Sequence, residues 1–172
     1  MLATKYTLTG QSNLRKAGLI KNANVLVAGN SRKALVENID ESLKRLGVGY
    51  IDLLYVHAWE YRTPVEEVMR ALDDVVRAGK ALYVGISDAP AWVVSQANTI
   101  AQFRGWTPFV GLQTRYNLLD RSFEYDLGPM AELGVGTVPW GSIAEGFLSG
   151  KYKKGVTRRK MKLSLFHFLF II

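Results

Sequence analysis

Residues able to do chemistry follow five short apolar runs of this sequence. They are Lys5, His57, the pair Ser87 and Asp88, Gln113, and Trp140. In parallel α/β folds, functional residues gather where the carboxyl ends of neighbouring strands meet at one rim. A cation, an imidazole, hydroxyl and amide groups and a flat aromatic ring suit a planar heteroaromatic cofactor beside a polarised carbonyl. We therefore predict that these residues share one rim of a parallel sheet.

Several other chemistries lack the residues that they need. No two strand ends carry paired carboxylates, which disfavours glycoside hydrolysis. There is no Gly-x-Ser-x-Gly motif, no cysteine nucleophile, and neither of the glycine-rich motifs of Rossmann-type and P-loop nucleotide sites. The only two histidines are His57 and His167, and a lone strand-end histidine cannot hold a metal without partners. No metal site is expected.

The elements that would position this rim alternate along the chain. Apolar runs typical of buried parallel strands begin near residues 51, 81, 109 and 135, and Met1–Thr4 forms a fifth. The intervals match the length of one βα unit. The predicted class is α/β, with right-handed crossovers that produce a parallel sheet, either open or curling into a (β/α)8 barrel.

Helix signals fill the intervals between these runs. The first helix begins at a Ser31 cap and ends at Gly47. The second begins at Thr63–Glu66, where threonine caps, proline takes the first helical position and glutamate closes a capping box. Two further helices are predicted at residues 89–101 and 123–133. The stretch from Tyr6 to Asn30 is predicted to be a long loop of the kind that carries function.

Composition restricts the partners and the location of the protein. The 172 residues, 48% of them hydrophobic, suffice for one domain with a core. Six of the positive charges behind the net charge of +7 lie in residues 153–172, so the remainder carries only +1 and no nucleic-acid-binding face is expected. The lack of cysteine and of a signal peptide predicts a cytoplasmic protein. The apolar run at residues 163–172 is about half of the ~20 residues that cross a bilayer, so no membrane anchor is expected.

Motifs within residues 2–152 follow, in order, those of a known family. They are Leu2–Lys5, Ser31–Lys33 with Ser42–Leu46, Tyr50–His57, Arg77–Lys80 with Val84–Ser87, and Val138–Ser142 with Gly146–Tyr152. With them the chain resembles the aldo-keto reductases, most closely the branch with bacterial oxidoreductases and potassium-channel β subunits. The resemblance implies an incomplete (β/α)8 TIM barrel of about five consecutive parallel strands with crossover helices. It also implies an oxidoreductase that uses NADP(H) to reduce a small aldehyde or ketone to an alcohol.

The resemblance also implies catalytic roles for two residues. In the family, an aspartate, a tyrosine, a lysine and a histidine act together on the carbonyl. Lys5 resembles the lysine whose cation lowers the pKa of the tyrosine that donates the proton. His57 resembles the histidine that orients the substrate carbonyl by hydrogen bonding.

Cofactor contacts follow from the resemblance in the same way. Ser87, Asp88 and Gln113 match positions that hold the nicotinamide carboxamide, with Asp88 standing where many members have asparagine. Trp140 matches the aromatic residue that stacks on the nicotinamide ring. The loop along the pyrophosphate and a lysine near the phosphates match Gly141, Ser142, Ile143, Ala144 and Glu145, and Lys151. The first three of these loop residues depart from the usual Ser-Pro-Leu.

Both ends of the chain depart from the family. The family's aspartate and tyrosine lie before the lysine strand, whereas only four residues precede Lys5. After Tyr152, nothing matches the motif that holds the adenosine 2′-phosphate. We expect a partial barrel at residues 1–152 and an unrelated basic, then apolar tail at residues 153–172 that adds no strand to the sheet. A truncated or frameshifted gene explains both departures.

Several functional hypotheses remain. One is a reductase fragment that is inactive alone or needs another chain. Another is a non-catalytic module resembling a channel β subunit, which binds a partner, or a second copy of itself, through the open edges that five of eight strands leave. A third is a truncated gene product without function, and a remoter one is a tail-anchored membrane protein.

Overall fold

The computed structural model describes residues 1–7 and 29–151. The strands are β1 (Ala3–Tyr6), β2 (Ile51–Val56), β3 (Ala81–Ser87), β4 (Phe109–Arg115) and β5 (Gly136–Trp140). The α-helices are α1 (Arg32–Leu46), α2 (Val65–Arg77), α3 (Ala91–Arg104) and α4 (Leu127–Ala131). Two 3-10 helices lie at Ser122–Glu124 and Ala144–Ser149.

All five strands belong to one parallel sheet. Its spatial order is β1-β2-β3-β4-β5, so each strand pairs with its neighbour in sequence. Consecutive parallel strands alternating with helices are the units of a (β/α)8 barrel, and the predicted fold class is confirmed. Between β3 and β4 the register shifts by one residue, since Val84 pairs with Phe109 and Gly85 pairs with Gly111.

The ends of α1 are those that the sequence predicts. The Ser31 side chain accepts a hydrogen bond from the Ala34 amide, and Gly47 ends the helix in the left-handed conformation with φ of 66°. Of the apolar residues on the helix, Leu35 and Ile39 are fully buried. The N-terminal serine cap and the C-terminal glycine are both local signals, so the sequence alone predicts both ends of the helix well.

The predicted capping box of α2 is wrong. Pro64 is the N-cap residue, and no side chain accepts a hydrogen bond from the first turn. The Thr63 hydroxyl donates instead to the Glu60 carboxylate, and Glu66 pairs with Arg104 of α3 at 2.9 Å. Both groups of the expected box are therefore bonded to residues outside the helix.

The helix predicted at residues 123–133 is shorter than expected. A 3-10 turn occupies Ser122–Glu124, and α4 has only five residues. Pro129 lies inside the predicted span, and proline is tolerated only in the first turn of a helix. The helix therefore begins at Leu127, where the Asp126 side chain caps the Leu127 amide.

The core lies between the helices and one face of the sheet. Val56, Ile86 and Leu112 form one register row across β2, β3 and β4, and all three are fully buried. Met69, Leu72, Val93 and Val94 belong to the same cluster from α2 and α3. At the end of this row in β5 stands Thr137, which is exposed like every other residue of that strand.

Several predictions lie outside the described residues. They concern most of the loop at residues 6–30 and the whole tail at residues 153–172, including the expectation that the tail adds no strand. The boundary after residue 152 stays a prediction. Within the described ranges, none of the helices is long and apolar enough to cross a membrane.

Candidate functional site

The structure brings the predicted strand-end residues to one rim of the sheet. The Lys5 ammonium group donates a hydrogen bond to the Gln113 side-chain carbonyl, joining β1 to β4 across the sheet. Ser87 pairs in register with Gln113, and Gln113 pairs with Val138 of β5. The Gln113 backbone carbonyl also accepts from the Asp88 amide at 3.0 Å. Strands β1, β3 and β4 therefore contribute to one site.

His57 is held next to this group by the backbone of β1. It directly follows β2, and its amide donates to the Tyr6 carbonyl at 3.0 Å. Partial burial and the positive charge of Lys5 lower the pKa of the His57 imidazole, while the negative charge of Asp88 acts in the opposite direction. The imidazole is therefore neutral at neutral pH, so that one nitrogen donates a hydrogen bond and the other accepts one.

Trp140 closes the site on the β5 side. Its indole N–H donates to the Asp88 carboxylate at 2.9 Å, which links the ends of β5 and β3. The Arg115 guanidinium lies 5.8 Å from the centre of the indole ring, a cation–π distance. With one face near Arg115 and its N–H bonded to Asp88, the ring is held in one orientation.

Asp88 adopts an unusual backbone conformation at this point. Its φ of 46° lies in the left-handed region, which aspartate enters more readily than most residues but at some cost. Its backbone carbonyl accepts from the Trp59 amide at 3.5 Å, and its side chain accepts from Trp140. The turn after β3 is thus tied to the loop after β2 and to β5.

The residues predicted to bind the phosphates lie mostly in a turn that follows β5. Residues 141–145 follow Trp140 directly, and the Gly141 carbonyl accepts from the Asn117 side chain at 3.0 Å and from the Ala144 amide at 2.8 Å. Ala144 and Glu145 have φ values of 48° and 55°, and Ser142, Ile143 and Glu145 are exposed. Lys151 is exposed beyond the 3-10 helix, and no hydrogen bond or ion pair within the described residues joins it to the rim.

Tyr55 forms the floor of the site, a role that the sequence did not predict. It pairs in register with Lys5 on one side and Gly85 on the other, so its side chain shares the face of the sheet with theirs. A Cβ atom placed on Gly85 would lie 2.6 Å from the Tyr55 ring, and one on Gly111 would lie 3.3 Å from the Tyr55 hydroxyl. The ring therefore lies across two glycines and fills the space that their missing side chains leave.

Neither tyrosine next to the rim is an activated acid. Burial raises the pKa of Tyr6, with a further contribution from the charges of Glu60 and Glu67, and its hydroxyl donates to the Asn30 carbonyl at 3.4 Å, which accounts for its proton. Burial also raises the pKa of Tyr55. A proton donor to a carbonyl works best with a pKa near the working pH, so both phenols are poorly matched to that task.

Two residues of the site that sequence reasoning missed had a usable signal. Tyr55 precedes His57 by two positions and Arg115 follows Gln113 by two, and residues two apart on a strand point to the same face. This alternation places the Tyr55 side chain on the same face of the sheet as His57, and the Arg115 side chain on the same face as Gln113.

The described residues contain no candidate metal site. No three aspartate, glutamate or histidine side chains in this part of the chain are close enough together to bind a metal ion.

Comparisons with known proteins identify the family of the chain. Residues 1–164 match the sequence profile of the Aldo/keto reductase family. A Saccharomyces cerevisiae protein provisionally named as an aryl-alcohol dehydrogenase, AAD10, is 42% identical over 163 residues, which are 94% of this chain and 54% of that protein. Norsolorinic acid reductase B of Dothistroma septosporum is 43% identical over 147 residues, 85% of this chain and 36% of that protein. The chain thus spans about half, or less, of the length of these relatives.

Proposed function

The chain belongs to the aldo/keto reductase family, and from that premise we propose that residues 1–152 carry part of the active site of an NADP(H)-dependent carbonyl reductase. Lys5 and His57 are its catalytic residues. Ser87, Asp88, Gln113, Trp140, residues 141–145 and Lys151 are its cofactor-binding residues. The location in the cytoplasm and the likeness to the branch with channel β subunits stay predictions.

One observation carries this proposal. Lys5 of β1 and Gln113 of β4 are 108 residues apart in sequence, yet their side chains are hydrogen-bonded at the carboxyl rim, beside His57 and Trp140. A barrel enzyme of this class works from that rim. A cation and a neutral imidazole close together also supply the two groups that a carbonyl oxygen needs when negative charge develops on it.

The chain's own residues each have a definable task. The His57 imidazole, kept neutral by burial and by Lys5, donates a hydrogen bond to the substrate oxygen and orients the carbonyl. The Lys5 ammonium group stabilises negative charge that develops nearby. Gln113 holds Lys5 in place, because its side-chain carbonyl accepts the ammonium hydrogen bond.

The rim residues fit a nicotinamide by their chemistry. Trp140 offers a flat aromatic surface that is about 38% exposed, and Arg115 lies near one of its faces, which leaves the other for stacking. Gln113 retains its amide donors after accepting from Lys5, and the Asp88 carboxylate accepts from an amide N–H. When bound, NADPH supplies the hydride to the carbonyl carbon.

The proposed substrate is an aromatic aldehyde or ketone. The two relatives reported above are named for aryl alcohols and for norsolorinic acid. The rim adds an argument of its own, since Trp140 presents exposed aromatic surface at the same rim as His57.

We further propose that a polypeptide of these 172 residues does not turn over by itself. Hydride transfer builds negative charge on the carbonyl oxygen, and a positioned acid typically contributes about 10²–10⁴-fold to such steps. Tyr6 and Tyr55 are the tyrosines next to Lys5 in sequence and register, and burial raises the pKa of both. Neither replaces the tyrosine that the family resemblance implies.

Steady-state kinetics test the activity. The 172-residue chain is mixed with NADPH and benzaldehyde or a similar aromatic aldehyde, and the absorbance of the reduced nicotinamide is followed. We expect no oxidation above background. Turnover that Lys5→Met or His57→Ala abolishes would show that the site is complete in this chain, and the inactivity proposal would have to be withdrawn.

Calorimetric titration tests the cofactor site separately from turnover. NADPH is titrated into the wild type, into Trp140→Leu and into the matched variant Trp106→Leu, whose tryptophan lies after α3 at the other end of the sheet. We expect binding heat in the wild type, and we expect Trp140→Leu to weaken the affinity by roughly five- to tenfold, as loss of a stacking partner worth about 1–1.5 kcal/mol predicts. Equal binding by both variants would remove Trp140 from the proposed site.

The exposed edge strand favours a second candidate, partner binding through the sheet edge. All five residues of β5 are exposed, and its outer backbone edge has no neighbouring strand among the described residues. Such an edge pairs readily with another chain. Sedimentation over a range of protein concentrations tests this candidate, with Val138→Lys as the variant expected to reduce association. A monomer at every concentration would exclude a second copy as the partner.

A further inference from the structure

Asn30 is a fully buried polar residue whose side chain bonds to two loops at once. Its amide nitrogen donates to the Thr7 hydroxyl and to the Ala58 carbonyl, both at 2.9 Å. Its amide oxygen accepts from the Glu60 backbone amide, also at 2.9 Å. All three of these hydrogen bonds join the Asn30 side chain to other segments of the chain.

The two segments that Asn30 contacts follow the candidate catalytic residues along the chain. Thr7 lies two positions after Lys5, and Ala58 and Glu60 are the first and third residues after His57. The Asn30 backbone adds to the link, since its amide donates to the Glu60 carboxylate at 3.0 Å and its carbonyl accepts from the Tyr6 hydroxyl. Gly29, just before it, has φ of 95° and lies against the same carboxylate.

We propose that Asn30 is a positioning residue, which fixes the loop after His57 against the end of β1 and thereby sets the place of the imidazole relative to Lys5. It touches neither reacting group. It acts on the segment after His57 through the backbone of Ala58 and Glu60, and on the end of β1 through the Thr7 hydroxyl. The consequence for catalysis rests on the proposed function, whereas the effect on the His57 environment does not.

The chemistry of this position requires an amide. Only asparagine among side chains of this size supplies two donors and one acceptor from a planar group. Aspartate has the same shape but no donor when ionised, and its oxygen would face the Ala58 carbonyl and lie beside Glu60. Alanine would leave the Glu60 amide and the Ala58 carbonyl without their buried partner, which costs free energy and frees the loop to move.

A purely structural asparagine elsewhere in the fold provides the matched control. Asn98 of α3 bonds through its side chain to the Phe109 amide at 2.8 Å and to the Phe109 carbonyl at 3.0 Å. It therefore makes the same kind of bridge to backbone, at the start of β4 and away from His57. Asn98→Ala loses two such hydrogen bonds and Asn30→Ala loses three, but only the second variant disturbs the loop after β2.

The readout is the pKa of the His57 imidazole, measured by NMR during a pH titration of the full chain. His167 is replaced by glutamine in every sample, so that one histidine signal remains. Lys5 and Asp88 are the charged groups that face His57, and burial together with Lys5 lowers its pKa. We expect Asn30→Ala to raise this pKa measurably towards the ordinary value, because the ring becomes better hydrated and moves away from Lys5. Asn98→Ala should leave it unchanged.

A gentler variant guards against loss of folding. Thr7→Val removes one of the bonds to Asn30 and keeps the side-chain shape, and we expect a smaller shift in the same direction. A His57 pKa that stays at the wild-type value in Asn30→Ala and Thr7→Val, or that shifts equally in Asn98→Ala, would overturn the positioning role. Since no cofactor or turnover enters the measurement, failure of the proposed function would instead be seen in the NADPH titration.

Discussion

Strands β3 and β5 both contribute to the rim but are held in different ways. In β3, five of seven residues are buried, and Ala81, Val84 and Ile86 belong to the core cluster with residues of α2 and α3. In β5, every residue is exposed, and the strand is attached by its backbone ladder to β4, by the Trp140–Asp88 hydrogen bond and by the cation–π contact with Arg115. The β3 part of the site is therefore supported by a packed core, whereas the β5 part is held by backbone, polar and aromatic contacts.

Because of this difference, substitutions in β3 and in β5 should have different effects. A change in β3 should alter the free energy of unfolding of the whole domain, because burial of apolar surface dominates stability. A change in β5 should alter mainly the local position of Trp140. Four predictions test this division. The first three make the same kind of substitution at a buried and at an exposed position, and the fourth concerns the titration of His57.

The largest effect is expected from valine truncation. Val84 of β3 is fully buried, whereas Val138 of β5 is 43% exposed. Val84→Ala should lower the free energy of unfolding by about 2–3 kcal/mol, because two methyl groups and a filled space are lost. Val138→Ala should lower it by less than about 0.5 kcal/mol. Urea denaturation measures both, and equal losses would contradict the division between the strands.

Glycine substitution is expected to give the next largest effect. A Cβ atom at Gly85 would lie 2.6 Å from the Tyr55 ring and 2.8 Å from the Gly111 carbonyl oxygen, whereas one at Gly136 would meet only the Val110 carbonyl at 3.5 Å. Gly85→Ala should cost about 1–3 kcal/mol by overpacking. Gly136→Ala should be close to neutral in the same denaturation assay. If Gly85→Ala is equally neutral, the ring does not lie over this glycine.

Replacement of tryptophan by phenylalanine should give a smaller contrast. Trp59, which follows β2, is 4% exposed, and Trp140 is 38% exposed. Trp59→Phe should cost about 1–2 kcal/mol because it leaves a cavity in the core. Trp140→Phe should cost less than about 1 kcal/mol, the ordinary value of the single hydrogen bond to Asp88 that it removes. Thermal unfolding compares the two, and a larger loss for Trp140 would show that β5 supports the core.

The smallest effect is the pH dependence due to His57. Because its folded pKa is lowered, the unfolded chain binds the proton first as the pH falls below the ordinary value of about 6.5. The stability contribution is therefore fully present above that pH and is lost as the pH falls towards the folded pKa. His57→Gln should flatten this part of the stability curve. A decline in stability between pH 7 and 5 that is identical in wild type and variant would assign the dependence to other groups.

Local signals made much of the fold predictable from sequence. The spacing of apolar runs predicted five parallel strands, and Ser31 and Gly47 predicted both ends of α1. The rim followed from the residue type after each strand. Contacts set by tertiary structure were not predictable, among them the competition of Glu60 for Thr63 and the bond between Lys5 and Gln113. Asn30 was hidden in a segment with loop composition, where no spacing marks a buried amide.

The row of glycines beneath Tyr55 has a consequence for how the sheet assembles. Residues paired across a parallel sheet point to the same face, so sliding β3 by one position would bring Val84 or Ile86 opposite Tyr55. A single Cβ atom already approaches the ring too closely at Gly85, and a branched side chain would be excluded outright. The extra residue Val110 in β4 has a matching effect, since it sets Gly111 rather than its bulkier neighbour beside Gly85. The contact of Tyr55 with these two glycines therefore disfavours other alignments of β2, β3 and β4, and the observed alignment is the one that places the candidate site residues on a common rim.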